Sequence, residues 1–121
     1  MAQPDNNRRT HIHDTTSNIR RLNDCFRRSL IFGGQTVLTS GVSALDTEAK
    51  TALLRQVQTF DAFSRDNDPH GEHDFGAIEH AGVSYFWKID YYDRARQFAS
   101  PDAADPAVTV RVLTIMRADE Y

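Results

Sequence analysis

Val83-Ser84-Tyr85-Phe86-Trp87-Lys88-Ile89-Asp90-Tyr91-Tyr92 decides the fold. Val83, Tyr85, Trp87, Ile89 and Tyr91 alternate with Ser84, Phe86, Lys88, Asp90 and Tyr92. A period of two places the first set on one side of an extended chain, so the stretch reads as a strand with one continuously apolar face turned to a core. Just upstream, Phe75 to His80 is followed by Ala81-Gly82. A two-residue turn containing glycine between two such runs predicts an antiparallel hairpin.

Working outward, Val108 to Arg117 alternates again, with Val108, Val110, Val112 and Met116 on one side, and predicts a last strand. Gln35 to Thr39, bounded by Gly33-Gly34 and Ser40-Gly41, is a short strand rich in β-branched residues. Two amphipathic helices complete the chain. In the first, Ile19, Leu22, Phe26 and Leu30 recur at helical spacing behind the hydroxyls of Thr15, Thr16 and Ser17, and Asp24 stands four residues before Arg28. In the second, Ser43 or Asp46 supplies the cap, and Ala49, Leu53, Val57 and Phe60 mark the buried side of a helix reaching about Ser64. The expected architecture is α+β: a four-stranded antiparallel sheet with two amphipathic helices packed on one face. Tyr85, Trp87, Ile89, Val110 and Val112 are expected to meet Leu22, Phe26, Leu53, Val57 and Phe60. The other face, carrying Phe86 and Tyr92, is the natural interaction surface.

A chain of 121 residues accommodates one core, read as a single domain over 17–121 behind a polar, aperiodic N-terminal arm over 1–16 that is expected to be flexible. With 40% hydrophobic and 26% charged residues the composition is that of a globular protein. The one cysteine, Cys25, excludes an internal disulfide and a multi-cysteine zinc site. No apolar run approaches the ~18 residues of a membrane span, and the polar start has no signal-peptide core, so a cytoplasmic protein without a membrane partner is expected. The net charge of -3 divides unevenly. Arg20, Arg21, Arg27 and Arg28 crowd the first helix as a basic patch able to face nucleic-acid phosphates or an acidic protein, while acids dominate from Asp61 to Asp93. His11 and His13 read as polar arm residues. Gly33-Gly34-Gln35-Thr36 lacks the lysine and spacing of a phosphate loop.

Candidate site residues concentrate between Asp66 and Asp93. Asn67, Asp68, Glu72, His73 and Asp74 share one loop with Pro69, His70 and Gly71, and Lys88, Asp90, Tyr92 and Asp93 follow on the neighbouring strand. Asp66-x-Asp68-x-His70-Gly71 imitates the start of a calcium loop, but Ala77 stands where the bidentate glutamate belongs. Asp68, His73 and Asp74, with Asp90 or Asp93 from the strand, form a candidate divalent-metal set, since imidazole and carboxylates suit a transition metal. Glu72 and His73 are an alternative acid-base pair with no nucleophile in sight. A structural reading assigns the same residues to fastening the loop. Asn67 and Asp68 then cap amides, Gly71 and Gly76 take unusual dihedrals, His73 joins a carboxylate to a carbonyl and Lys88 pairs with Asp90 or with a loop acid.

Leu22-Asn23-Asp24 with Phe26-Arg27, Leu38-Thr39-Ser40-Gly41-Val42, Phe60-Asp61-Ala62-Phe63, Asn67-Asp68-Pro69, Gly71-Glu72-His73-Asp74-Phe75-Gly76, Trp87-Lys88-Ile89-Asp90-Tyr91-Tyr92-Asp93, and Arg111 to Met116 with Glu120-Tyr121 together resemble the bacterial domain of unknown function 3768 family. The resemblance runs from Ile19 onward. It implies a small cytoplasmic bacterial protein, frequently carried on mobile elements, with no established activity. Two functional expectations follow from residues and resemblance together. One is an interaction protein, an accessory factor in mobile-element or host-defence biology, which binds a protein, or nucleic acid through the arginines, and needs no cofactor. The other is a small metal-dependent hydrolase centred on the loop from Asn67 to Gly76.

Overall fold

The computed structural model describes side chains from Thr15 to Tyr121, and the backbone from Pro4. The expected arm over 1–16 lies, up to Asp14, outside the residues whose side chains are described, as do His11 and His13. Helix α1 (Pro4–Ser29) is followed by β1 (Gln35–Leu38), a single turn α2 (Ser40–Ser43), α3 (Thr47–Gln58), β2 (Phe75–His80), β3 (Val83–Tyr92), β4 (Val110–Arg117) and a 3-10 turn (Ala118–Glu120). Thr15, Thr16 and Ser17 therefore lie inside α1 and do not cap it. The helix ends earlier than its glycines. Leu30, at φ 63°, takes the left-handed closing position and its amide donates to the Phe26 carbonyl at 2.7 Å. Asp46, not Ser43, caps α3, accepting from the Ala49 amide at 2.8 Å. That helix stops at Gln58, so Phe60 and Phe63 reach the core from the following loop, not from the helix as expected.

The predicted hairpin forms, with Ala81 and Gly82 at φ 51° and 78°, the doubly positive turn whose twist suits paired strands. The sheet order is β1-β4-β3-β2, and here the expectation of a wholly antiparallel sheet is corrected. β1 runs parallel to β4, and the sheet is mixed. The reason lies in the connection. A helical crossover, α2 and α3, returns the chain to the end where β1 began, so β2 starts in the same direction as β1. β4, antiparallel to β3, then slots in beside β1.

Register also reverses the reading of β4. Trp87 lies opposite Ile115, Ile89 opposite Leu113 and Tyr91 opposite Arg111, so Arg111, Leu113 and Ile115 face the helices while Val110 and Val112 face away. A shift of one residue exchanges the faces of a strand. Because β4 is apolar on both sides, alternation alone could not choose between them. The core is made of Phe26, Val42, Leu53, Val57, Tyr85, Trp87, Ile89, Leu113 and Ile115. Gly76 is there for room, not for its dihedral: a Cβ would stand 2.4 Å from Trp87 Nε1 and 2.8 Å from the Phe60 ring.

Candidate functional site

Between α3 and β2 the chain passes along α1, and the loop is fastened from within. Asn67 Oδ1 accepts from the Ser64 amide at 2.8 Å and Asn67 Nδ2 donates to the Ala62 carbonyl at 2.8 Å. The nearly buried Asp68 accepts from the His73 amide at 3.1 Å, closing a turn through Gly71 at φ 70°. His73 itself sits at φ 56°, an uncommon place for a residue with a Cβ. Its ring holds it there. The imidazole stacks on Phe63 at 3.7 Å with planes 2° apart, and Nδ1 donates to Asp24 Oδ1 at 2.9 Å. An ionised carboxylate only accepts, so the Nδ1 proton is placed. Nε2 stands 3.7 Å from Asp68 Oδ2, too far for a hydrogen bond.

Asp24 joins this histidine to Arg27, whose Nη2 donates to the same oxygen at 2.9 Å. Arg27 is 2% exposed. Its Nη1 donates to the carbonyls of Val57 at 3.2 Å, Gln58 at 3.3 Å and Phe60 at 3.0 Å, and the guanidinium lies 5.4 Å from the ring centroids of Phe63 and Trp87. A cation here satisfies the orphan carbonyls of α3 and complements its dipole. The expected basic patch is corrected accordingly. Arg27 is interior, Arg20 is partly buried and donates to the Gly71 carbonyl at 3.2 Å, and only Arg21 and Arg28 are exposed. The ion pair of Asp24 forms with Arg27, not with Arg28.

Beside this lies a second buried polar group. Asn23, fully buried, donates to the Glu72 carbonyl at 3.0 Å and to the Tyr91 hydroxyl at 2.7 Å, and accepts from Arg111 Nε at 2.8 Å. Burial pushes the carboxyl of Glu72 up; the charges of Asp74 and Asp68 add, while His70 and a Tyr91 hydrogen bond oppose. Asp74 is raised as well, again mainly by burial, with Asp68 and Asp90 adding and a backbone hydrogen bond and His70 opposing. Tyr91 is raised by burial. Elevated carboxyls are what a general acid requires, and they also arise where a fold simply crowds acids together.

The remaining predicted residues lie elsewhere. Lys88, Asp90 and Tyr92 are on the face of β3 opposite to Trp87 and Ile89, and Lys88 Nζ pairs with Asp90 Oδ2 at 2.9 Å as expected. The hydrogen bond to Asp90 raises the Lys88 ammonium pKa. Asp93 caps a turn, accepting from the amides of Gln97 at 3.0 Å and Phe98 at 3.4 Å. The strand carboxylates therefore do not join His73. Among the described residues no group of three or more His, Cys, Asp or Glu side chains is placed to hold a metal ion.

Asn23, Asp24, Phe63, Tyr91 and Arg111 belong to the cluster and were not among the predicted site residues. A signal for the first of them exists. Asn23 stands four residues after Ile19 and three before Phe26, and Arg27 stands four after Asn23, so both occupy the apolar stripe of α1. Polar residues in that stripe mark buried, partnered groups.

Comparison with known proteins places the chain in a family. It belongs to the family described as protein of unknown function (DUF3768), whose model matches residues 38–120. The match takes in the loop, β2, β3 and β4 but not the α1 residues that lock the loop. No curated protein and no solved structure matches.

Proposed function

For this member of the family we propose a non-enzymatic role, the binding of another protein through the open face of the sheet. The helices α1 and α3 pack on the face carrying Trp87, and among the described residues no helix covers the other. On that other face Phe75, Phe86 and Tyr121 form a ring cluster, with centroids 5.2 Å apart for Phe75–Phe86 and 5.6 Å for Phe86–Tyr121. Tyr121 is 75% exposed and Val37, on the same face, 40%. This cluster carries the reading. Aromatic anchors flanked by a charge pair, here Lys88–Asp90, and by a further phenol, Tyr92, match the make-up of a protein-binding centre. The metal-dependent hydrolase finds less support, because Asp90 lies across the sheet from His73 and among the described residues no group of three or more His, Cys, Asp or Glu side chains is placed to hold a metal ion.

The test is affinity for a protein captured from the native host, measured with purified wild type, Phe86→Ala and Tyr121→Ala. Either substitution is expected to weaken binding at least about tenfold, since anchors of this type dominate interface energy. Arg21→Ala with Arg28→Ala should leave it unchanged. Undiminished affinity in both aromatic variants would refute the proposal. Metal content of the gently purified protein, with melting curves in chelator, tests the hydrolytic alternative: stoichiometric metal and a lowered melt would revive it.

A further inference from the structure

On the other side of Arg111, between the end of α1 and the start of β4, lies a cleft of about 460 Å³, a size typical of small-molecule sites. Among the described residues its charged lining side chains are Arg94, Arg96 and Arg111, with no carboxylate. In a chain of net charge -3 that segregation is marked. Arg111 is 3% exposed, yet its guanidinium bonds only neutral acceptors, Nε to Asn23 Oδ1 at 2.8 Å and Nη2 to the Ala103 carbonyl, and it lies 5.3 Å from the Tyr91 ring centroid. Among the described residues none of the three arginines is in an ion pair. A buried cation outside any ion pair is costly: burial lowers the Arg111 pKa, and the neighbouring Tyr91 and Glu72 only oppose that shift.

The facing wall is bare backbone. At Gly34 a Cβ would meet the Phe26 ring at 2.5 Å and the Arg111 carbonyl at 2.8 Å, so no side chain fits there. Gly33 and Gly34 line the cleft together, so this part of its wall is backbone. Phe32, 77% exposed, and Pro106 add apolar surface. We propose that this cleft binds a small organic oxyanion, a carboxylate or a phosphate monoester, with its head on Arg94, Arg96 and Arg111 and its apolar body against Phe32 and Pro106. The guanidinium fork matches either head. The site is separate from the ring cluster: Phe75, Phe86 and Tyr121 are not among its lining residues.

Cys25 also lines the cleft and is the chain's one cysteine, so it reports occupancy. The experiment follows its alkylation rate in the full chain with phenyl phosphate, phenylacetate or uncharged benzyl alcohol added, together with calorimetric titration of each. Saturable protection of about tenfold by an anion is expected, with none by the alcohol. Stronger protection by phenyl phosphate would assign a phosphate ligand, and stronger protection by phenylacetate a carboxylate. Arg94→Ala with Arg96→Ala, both exposed positions, should abolish the effect without moving the melting temperature. No protection by either anion, equal protection by the alcohol, or full protection in the double variant would overturn the proposal.

Discussion

The two sides of β3 distribute polarity in opposite ways. On the helix side, Arg27 is buried beside Trp87 and Asn23 and Arg111 beside Tyr91, held by carbonyls, one carboxylate and one another. On the other side Phe75, Phe86 and Tyr121 gather, and among the described residues no α-helix packs over them. Buried polar groups need nearly complete satisfaction, which defines one arrangement of loop against helix. The exposed ring of Tyr121, over the half-buried Phe75 and Phe86, is placed to meet a partner. A cluster of carboxylates, histidine and arginine is thus not by itself a site of chemistry. Here its bonds run mostly to the protein's own backbone.

Substitutions can break this contrast. Arg27→Met would take the guanidinium from three carbonyls, of which Val57 keeps the Phe60 amide, and leave Asp24 with His73 alone. A loss of about 3–5 kcal/mol, the usual cost of removing one partner of a buried pair, is expected in urea unfolding. A loss below about 1 kcal/mol would mean that the interior pair contributes little to the lock. Asn23→Ala leaves the Tyr91 hydroxyl, the Glu72 carbonyl and Arg111 Nε short of a partner, and should cost about 1–3 kcal/mol. Protection of the Glu72 and His73 amides in hydrogen exchange should fall with it.

Asp74→Asn sharpens the contrast from the opposite direction. Its carboxyl is raised in the folded state, so the native protein holds that proton more tightly than the unfolded chain does. The ionised form therefore opposes folding above the raised value, and the opposition fades as pH falls through it. The variant should melt higher at neutral pH, by less than about 1 kcal/mol after solvent screening, and the gain should vanish below the ordinary carboxylate range. A gain that persists in acid would contradict the cause assigned. Smallest of all, Tyr121→Ala should shift stability by no more than about 0.5 kcal/mol while abolishing partner binding. If it instead unfolds the protein, the ring cluster is part of the fold and not an interface.

Much of this was legible in the residues. Alternation in β3 and the Ala81-Gly82 turn appear as read, and of the alternatives open for the cap of α3 and the partner of Lys88 the fold takes Asp46 and Asp90; all are local features, set by neighbours two to four positions away. The fastening roles of Asn67 and Asp68 belong with them, because a side chain that caps its own turn needs no distant partner. The locking of the loop onto α1 was not legible. It joins Asp24 to His73 across 49 positions and Asn23 to Arg111 across 88.

By itself, the sequence determined the main helices and strands, the hairpin and the position of the polar loop, which follow from spacing along the chain, and its motifs carried the resemblance to the family. Only the tertiary structure decided that β1 pairs parallel with β4, that Arg27 and Arg111 lie inside, and which side of β4 meets the core. The reason is the same in each case. Strand direction, register and the partner of a buried charge depend on groups brought together by folding, and a strand apolar on both sides carries no local mark of which side will be covered.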